Sequence, residues 1–147
     1  MTSIDRGLVL FLEGGIINDY SGLGNIGTLC DKSRAYAALF SVAGHFPYPL
    51  QDNDEDNMDL WAAAHEIGHV LGSGHTDDIN WYDPVIDTCP TTYCGGSVDG
   101  TLMSYCPLSC MSLKFHPRTV SAFRCYLEHG RDFSVVGDVV YNCTTDD

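Results

Sequence analysis

Residues 65–75 read HEIGHVLGSGH and fill every fixed position of the pattern H-E-x-x-H-x-x-G-x-x-H. His65 and His69 are four residues apart, so on an α-helix both side chains project from one face and can bind the same metal ion. Gly72 permits the positive φ that ends a helix, and the chain can then return His75 as a third nitrogen ligand. Three imidazoles leave the fourth position of a zinc ion for water, which is the open arrangement of a catalytic site.

Glu66 is the candidate general base of this site. It is rotated by about 100° from His65 around a helix, so its carboxylate can reach a metal-bound water without binding the metal itself. A purely structural zinc site would need four protein ligands, and the sequence offers no fourth candidate near the three histidines. The pattern therefore favours a catalytic metal site.

The stretch 65–75 resembles the zinc signature of the metzincin metalloproteases. That superfamily also carries a methionine in a tight turn beneath the zinc, and TLMSY at 101–105 is similar to this Met-turn. The resemblance implies a zinc-dependent endopeptidase that holds one catalytic Zn²⁺. The residues that it assigns are three zinc ligands, a general base and two structural supports, namely His65, His69, His75, Glu66, Gly72 and Met103.

Tyr105 has two open interpretations. It resembles the tyrosine that astacins and serralysins carry two residues after the Met-turn methionine, where it can approach the metal and stabilise the oxyanion. A half-buried core tyrosine is the alternative. The sequence favours neither.

The segment GLGNIGTLC at 22–30 is similar to the adamalysin (reprolysin) pattern G-x-A-x-x-G-x-x-C. Gly24 stands where that family has alanine, and Thr76 follows the third histidine where adamalysins usually have aspartate. In the metzincins the substrate lies extended along an edge strand, which we expect at Leu8–Leu12. The wall of the pocket for the side chain after the cut is expected at Tyr105–Leu108.

Seven cysteines in 147 residues, with no C-x-x-C pair, favour disulfides and hence a secreted or lumenal protein. The adamalysin resemblance implies a bridge between Cys30 and Cys143. The sequon at Asn142 is a candidate glycosylation site and is compatible with secretion. Pairing among the other cysteines stays open for Cys89, Cys94, Cys106, Cys110 and Cys125.

Composition excludes several classes of partner. The net charge is −13, from seven Lys plus Arg against twenty Asp plus Glu, which argues against nucleic acid and anionic membrane surfaces. No apolar run reaches the length of a membrane span. The apolar run at 7–12 is too short for the core of a signal peptide. We expect the partner to be a protein or peptide substrate.

The remaining pattern predicts the order of elements. A buried strand is expected at 7–12, a glycine-rich connection at 16–30 and a strand at 34–42. The acidic stretch 51–59 departs from an EF-hand loop at its glycine and glutamate positions, so a solvated loop is expected there. The metal helix is expected at 59–71, a disulfide-pinned irregular region at 76–107, and a last helix at 117–129. Its expected apolar stripe is Val120, Phe123, Tyr126 and Leu127.

The fold class expected from the resemblance is α/β (α+β) of metzincin type. An upper subdomain, 1–75, carries a twisted sheet with the active-site helix above the cleft. A lower subdomain, 76–147, is irregular and disulfide-rich with a C-terminal helix. Whole metzincin domains carry further strands and a helix earlier, so we expect a partial catalytic domain. The alternative function is a catalytically silent zinc-binding or adhesion domain, and the retained Glu66 weighs against it.

Overall fold

The computed structural model describes residues 7–15, 21–89 and 100–129. Three strands form one sheet: β1 (Val9–Leu12), β2 (Gly22–Gly24) and β3 (Tyr36–Leu39). The sheet order is β1-β3-β2, with β1 parallel and β2 antiparallel to β3. The strands predicted at 7–12 and 34–42 are therefore confirmed, with tighter bounds.

Two details of the sheet differ from the prediction. The expected glycine-rich connection contains β2, which has no apolar alternation to reveal it because two of its three residues are glycine. The expected burial of the first strand is also wrong at its end, since Phe11 is 55% and Leu12 65% exposed. Only the β3 side of β1 is paired among the described residues, so an apolar strand sequence does not by itself establish burial.

Two helices carry the rest of the regular structure, and both were predicted. Helix α1 (Met58–Val70) follows a short 3-10 turn, and helix α2 spans Pro117–His129. The Asp59 carboxylate accepts hydrogen bonds from two backbone N–H groups of the preceding loop, at residues 43 and 44. In α2 the expected stripe is partly wrong, because Leu127 is 60% exposed while Phe123 is buried.

The acidic stretch before α1 is largely exposed, as predicted, and it also binds the lower part of the chain. Asp52 Oδ1 accepts a hydrogen bond of 2.7 Å from Leu113 N. Asn53 N donates to Met111 O at 2.9 Å. Short carboxylate side chains capture backbone N–H groups where no ladder supplies an acceptor. This stretch therefore fastens the upper region (7–15 and 21–75) to the lower region (76–89 and 100–129).

The lower region is irregular before α2, as predicted. It contains one parallel bridge, between Gly100 and Met111, and one 3-10 turn, Leu108–Cys110. A disulfide joins Cys89 to Cys106, with Cα atoms 5.2 Å apart. Two further cysteines, 110 and 125, are also disulfide-bonded.

The implied Cys30–Cys143 bridge stays a prediction. Cys30 is exposed and forms no disulfide within the described residues of the chain. Cys143 and the candidate glycosylation site Asn142 both lie outside the described residues.

Helix α1 is the centre of the fold. It packs against β2 and β3 on one side, and the segment around Met103 contacts its other side. The core cluster combines β3, α1 and the lower region, and consists of Leu39, Trp61, Ala62, Leu102, Cys106 and Met111. The predicted mixed α/β fold of metzincin type is confirmed. Among the described residues, no helix is long and apolar enough to cross a membrane.

Candidate active site

The last turns of α1 and the loop after it bring three histidines together. His65 and His69 lie on α1, which ends with Gly72 at φ +98°, and the chain then returns with His75. One ring nitrogen from each histidine lies within 4.8 Å of the other two. The ring centroids are 4.7 to 5.2 Å apart. The structure therefore assembles the three predicted ligands at one point.

The end of α1 is held by the glycine-rich segment after β2. Gly27 N donates to the His69 carbonyl at 2.9 Å, and Thr28 N donates to the Val70 carbonyl at 3.1 Å. The last carbonyls of a helix have no partner within the helix. The segment 27–28 satisfies them and fixes the turn from which the chain leads to His75.

The hydrogen bonds of the imidazoles leave nitrogens available for a metal. His65 Nδ1 lies 2.8 Å from the Leu102 carbonyl, and His69 Nδ1 lies 2.8 Å from the Ser73 carbonyl. A carbonyl accepts, so each Nδ1 carries the proton and each Nε2 keeps a lone pair. The buried Nε2 atoms of His65 and His75 have no hydrogen-bond partner among the described residues. Buried polar atoms are normally paired, and three neutral imidazoles are a donor set that suits Zn²⁺.

Burial keeps these imidazoles neutral. Burial, followed by the charge of His69, lowers the pKa of His65 to about 3, although the Leu102 carbonyl opposes the shift. Burial also lowers the pKa of His69 and of His75. Neutral imidazole is the form that binds metals. The three imidazoles are therefore in the metal-binding form at neutral pH.

Glu66 lies next to the histidines and is 6% exposed. Burial raises the pKa of Glu66 to about 7, near the value that suits a general base at neutral pH. Its Oε2 has no hydrogen-bond partner among the described residues. Strand β2 lies directly against it, since a Cβ on Gly22 would lie 2.6 Å from Glu66 Oε1. A Cβ on Gly24 would lie 2.6 Å from the Glu66 carbonyl.

The edge strand expected to bind substrate, Leu8–Leu12, is not the strand that lies beside Glu66. Strand β1 lies on the far side of β3 from β2, and β2 is the strand beside Glu66. The alternating glycines are the signal that could have revealed this, because they let a backbone approach the α1 side chains closely.

Met103 lies beneath α1. Its side chain is fully buried, and a Cβ on Gly68 would overlap its Sδ. Gly68 lies between the two helical histidines, so Met103 packs against the turn that carries them. The backbone of the same segment is fixed by Thr76 N, which donates to the Met103 carbonyl at 3.0 Å.

Tyr105 lies against the histidines and is not a half-buried core residue. Its ring centroid lies 4.2 Å from that of His75 and 5.5 Å from that of His65. The side chain is 63% exposed. Its backbone N donates to Asp77 Oδ2 at 3.3 Å. Partial burial raises the pKa of Tyr105, and the charges of Glu66 and Asp77 add to that rise, so the phenol keeps its proton to donate.

A buried polar chain also connects His69 to the lower region, and no sequence pattern pointed to it. Ser73, whose carbonyl faces His69, has its Oγ 3.0 Å from Tyr82 Oη. Tyr82 Oη lies 3.5 Å from Thr119 Oγ1 on α2. Contacts of this kind join residues of unrelated spacing, so periodicity does not predict them.

A family model described as metallo-peptidase family M12, of the reprolysin type, matches residues 8–116. This chain belongs to metallopeptidase family M12. The matched range contains β1, β2, β3, α1, the three histidines, Glu66 and the Met-turn. The predicted reprolysin-like family is therefore confirmed for this M12 chain. No curated protein matches the chain significantly.

Proposed function

We propose that this M12 chain is a zinc-dependent endopeptidase. The observation that carries the proposal is the convergence of His65, His69 and His75 beside Glu66 and Tyr105. Zinc bound by the three imidazoles would supply a Lewis acid and lower the pKa of a water to about 7. A silent domain would not need a buried carboxylate next to an open metal site, so Glu66 disfavours that alternative.

Glu66 serves as the general base and then as the general acid. Its carboxylate takes a proton from the attacking water and delivers that proton to the leaving amine. A pKa near 7 suits both halves of this exchange. The close approach of β2 limits where the carboxylate can move.

Tyr105 donates a hydrogen bond to the oxygen that becomes negative as the scissile carbonyl is attacked. Its ring already contacts His75, and its exposed position leaves room for substrate beside it. A preorganised donor of this kind stabilises the transition state more than the ground state. The wall of the pocket for the side chain after the cut is Tyr105–Leu108.

The peptide substrate binds extended along β2, as an added strand. The side of β2 that faces away from β3 pairs with no other strand among the described residues, and an exposed edge offers backbone donors and acceptors to a peptide. Gly22 and Gly24 keep this strand close to Glu66. The scissile bond is thereby brought next to the general base.

We also propose that the protein acts outside the cytosol, as a partial metzincin catalytic domain. Its upper subdomain is residues 1–75 and its lower subdomain is residues 76–147. Disulfides such as Cys89–Cys106 form and persist in oxidising compartments.

The test is a Glu66→Ala substitution compared with the wild-type chain in a peptide-library digest. We expect hydrolysis to fall by about 10²-fold or more, while zinc stays near one per chain by elemental analysis. Loss of zinc together with activity would show that Glu66 is not the general base. A wild-type chain that binds zinc and cleaves no peptide would favour the silent alternative.

A further inference from the structure

Asp87 is a buried carboxylate in the loop that follows the third histidine. Only 5% of its surface is exposed. Its Oδ2 accepts hydrogen bonds from Thr76 Oγ1, from Thr101 N at 3.1 Å and from Thr101 Oγ1 at 2.8 Å. Removing a carboxylate from water is costly unless donors replace the water. These donors replace it, and they also fix the position of the carboxylate.

On one side, Asp87 holds the segment that carries His75. Thr76 directly follows this histidine and is fully buried. The Thr76 carbonyl accepts hydrogen bonds from Ile86 N at 2.8 Å and Asp87 N at 3.1 Å. Thr76 N donates to the Met103 carbonyl. The side chain and both backbone polar groups of Thr76 are therefore occupied, which restricts the backbone from which His75 projects.

On the other side, Asp87 holds the Met-turn. Thr101 directly precedes Leu102, whose carbonyl lies 2.8 Å from His65 Nδ1. Thr101 also begins the turn, because Ser104 N donates to its carbonyl at 3.0 Å. The same carboxylate oxygen thus contacts Thr76, which follows His75. It also contacts Thr101, which precedes the Leu102 carbonyl that orients His65.

We propose that Asp87 is a positioning residue for the metal site, an inference that rests on the proposed function. Its carboxylate sets the spacing between the His75 segment and the Leu102 carbonyl, so that the nitrogens of His65 and His75 face a common point. Groups that orient metal ligands typically contribute 10- to 100-fold to metal affinity or activity. No position in the zinc signature or the Met-turn pattern identifies Asp87, because it acts through two threonines.

The test is zinc affinity, measured by competition with a chromophoric chelator in the 147-residue chain. Asp87→Ala leaves the threonine donors without an acceptor, and we expect zinc binding to weaken by about 10-fold or more. Asp87→Asn keeps an oxygen acceptor without the charge, and an intermediate loss is expected. The visible absorption bands of the cobalt-substituted protein report ligand geometry, and they should shift in Asp87→Ala.

A matched control separates positioning from stability. Asp52→Ala removes another carboxylate that accepts from a lower-region backbone N–H, that of Leu113. It should lower the melting temperature and leave zinc affinity and the cobalt bands unchanged. If Asp87→Ala does not fold, Thr76→Val and Thr76→Ser carry the test. The valine variant, which lacks the hydroxyl, should bind zinc more weakly, and the serine variant should bind it as the wild type does.

The outcomes are distinguishable. The positioning role would be overturned if Asp87→Ala kept wild-type zinc affinity and unchanged cobalt bands, even with a loss of stability. If Asp87→Ala does not fold, the same result in Thr76→Val would overturn it. A wild-type chain that binds no zinc would instead overturn the proposed function on which that role rests.

Discussion

The upper and lower regions of this domain are built in different ways. In the upper region, strand pairing and α1 place the backbone, and the functional side chains follow from their positions on it. In the lower region, before α2, carboxylates, hydroxyls and a disulfide place the backbone. The site needs both, because two of the three histidines lie on α1 while Tyr105 and the Leu102 carbonyl come from the lower region. The helix therefore supplies the spacing of these two histidines, and the irregular region supplies the groups that contact their rings.

The largest predicted effect is the pH dependence of the stability of the metal-free protein. It arises at the histidines, where the two regions meet. The folded-state pKa of His65 is about 3 against an ordinary 6.5, and those of His69 and His75 are also lowered. Between about pH 6.5 and 3 the unfolded chain binds more protons at His65 than the folded chain does, and the lowered pKa values of His69 and His75 act in the same direction, so stability should fall as pH falls below about 6.5. The raised pKa of Glu66 acts in the opposite direction between about 4.5 and 7.

Urea unfolding of the metal-free protein at several pH values measures this dependence. His65→Gln should flatten it, while His45→Gln, at an exposed histidine far along the chain from the ligands, should leave it intact. A pH dependence that is the same in His65→Gln and the wild type would contradict the burial of this imidazole.

Met103→Ala should break the contact between the two regions. The side chain is fully buried against α1, and its removal leaves a cavity, so we expect a loss of about 2–5 kcal/mol in the free energy of unfolding. Met103→Leu roughly keeps the volume and should cost under about 1.5 kcal/mol. Denaturant titration distinguishes the two variants. Equal, small losses would mean that Met103 is not the packing contact beneath the histidines.

Sequence patterns predicted the helices better than the long-range polar contacts. Both helices and the shared face of His65 and His69 follow from spacing, because helical periodicity fixes which side chains share a face. Strand β2 was missed, since Gly22 and Gly24 give no alternation of apolar side chains. The role of Asp87 was missed as well, because its partners lie 11 and 14 residues away in the sequence with no periodic relation. Long-range polar contacts depend on the folded geometry.

Replacing both Cys89 and Cys106 by serine should weaken the lower region selectively. The bridge spans a sequence separation of 17, and a loop of that size corresponds to about 3 kcal/mol in the chain-entropy model. Hydrogen exchange should rise at the amides of 100–112 more than in α1. Uniform loss of protection across both regions would show instead that they unfold as one unit and differ only in how their backbones are held in the folded state.

Tyr82→Phe should give the smallest effect. It removes the hydroxyl beside Ser73 Oγ and keeps the ring, so about 1 kcal/mol of stability should be lost. Ser73 Oγ keeps the Gly74 carbonyl as its acceptor, which limits the damage. Thermal unfolding with zinc bound measures the change. The matched control is Tyr36→Phe, which removes a hydroxyl whose hydrogen bond is exposed. A loss above about 3 kcal/mol would mean that this polar chain supports the site more strongly than its contacts indicate.

X-ray absorption spectroscopy at the zinc edge tests the central claim most directly. The zinc-loaded wild-type chain should contain one zinc with three imidazole nitrogens at about 2.0–2.1 Å and one further oxygen. His75→Ala should reduce the imidazole count from three to two. A sulfur in the first coordination shell, or a wild-type spectrum with only two imidazoles, would contradict the three-histidine site.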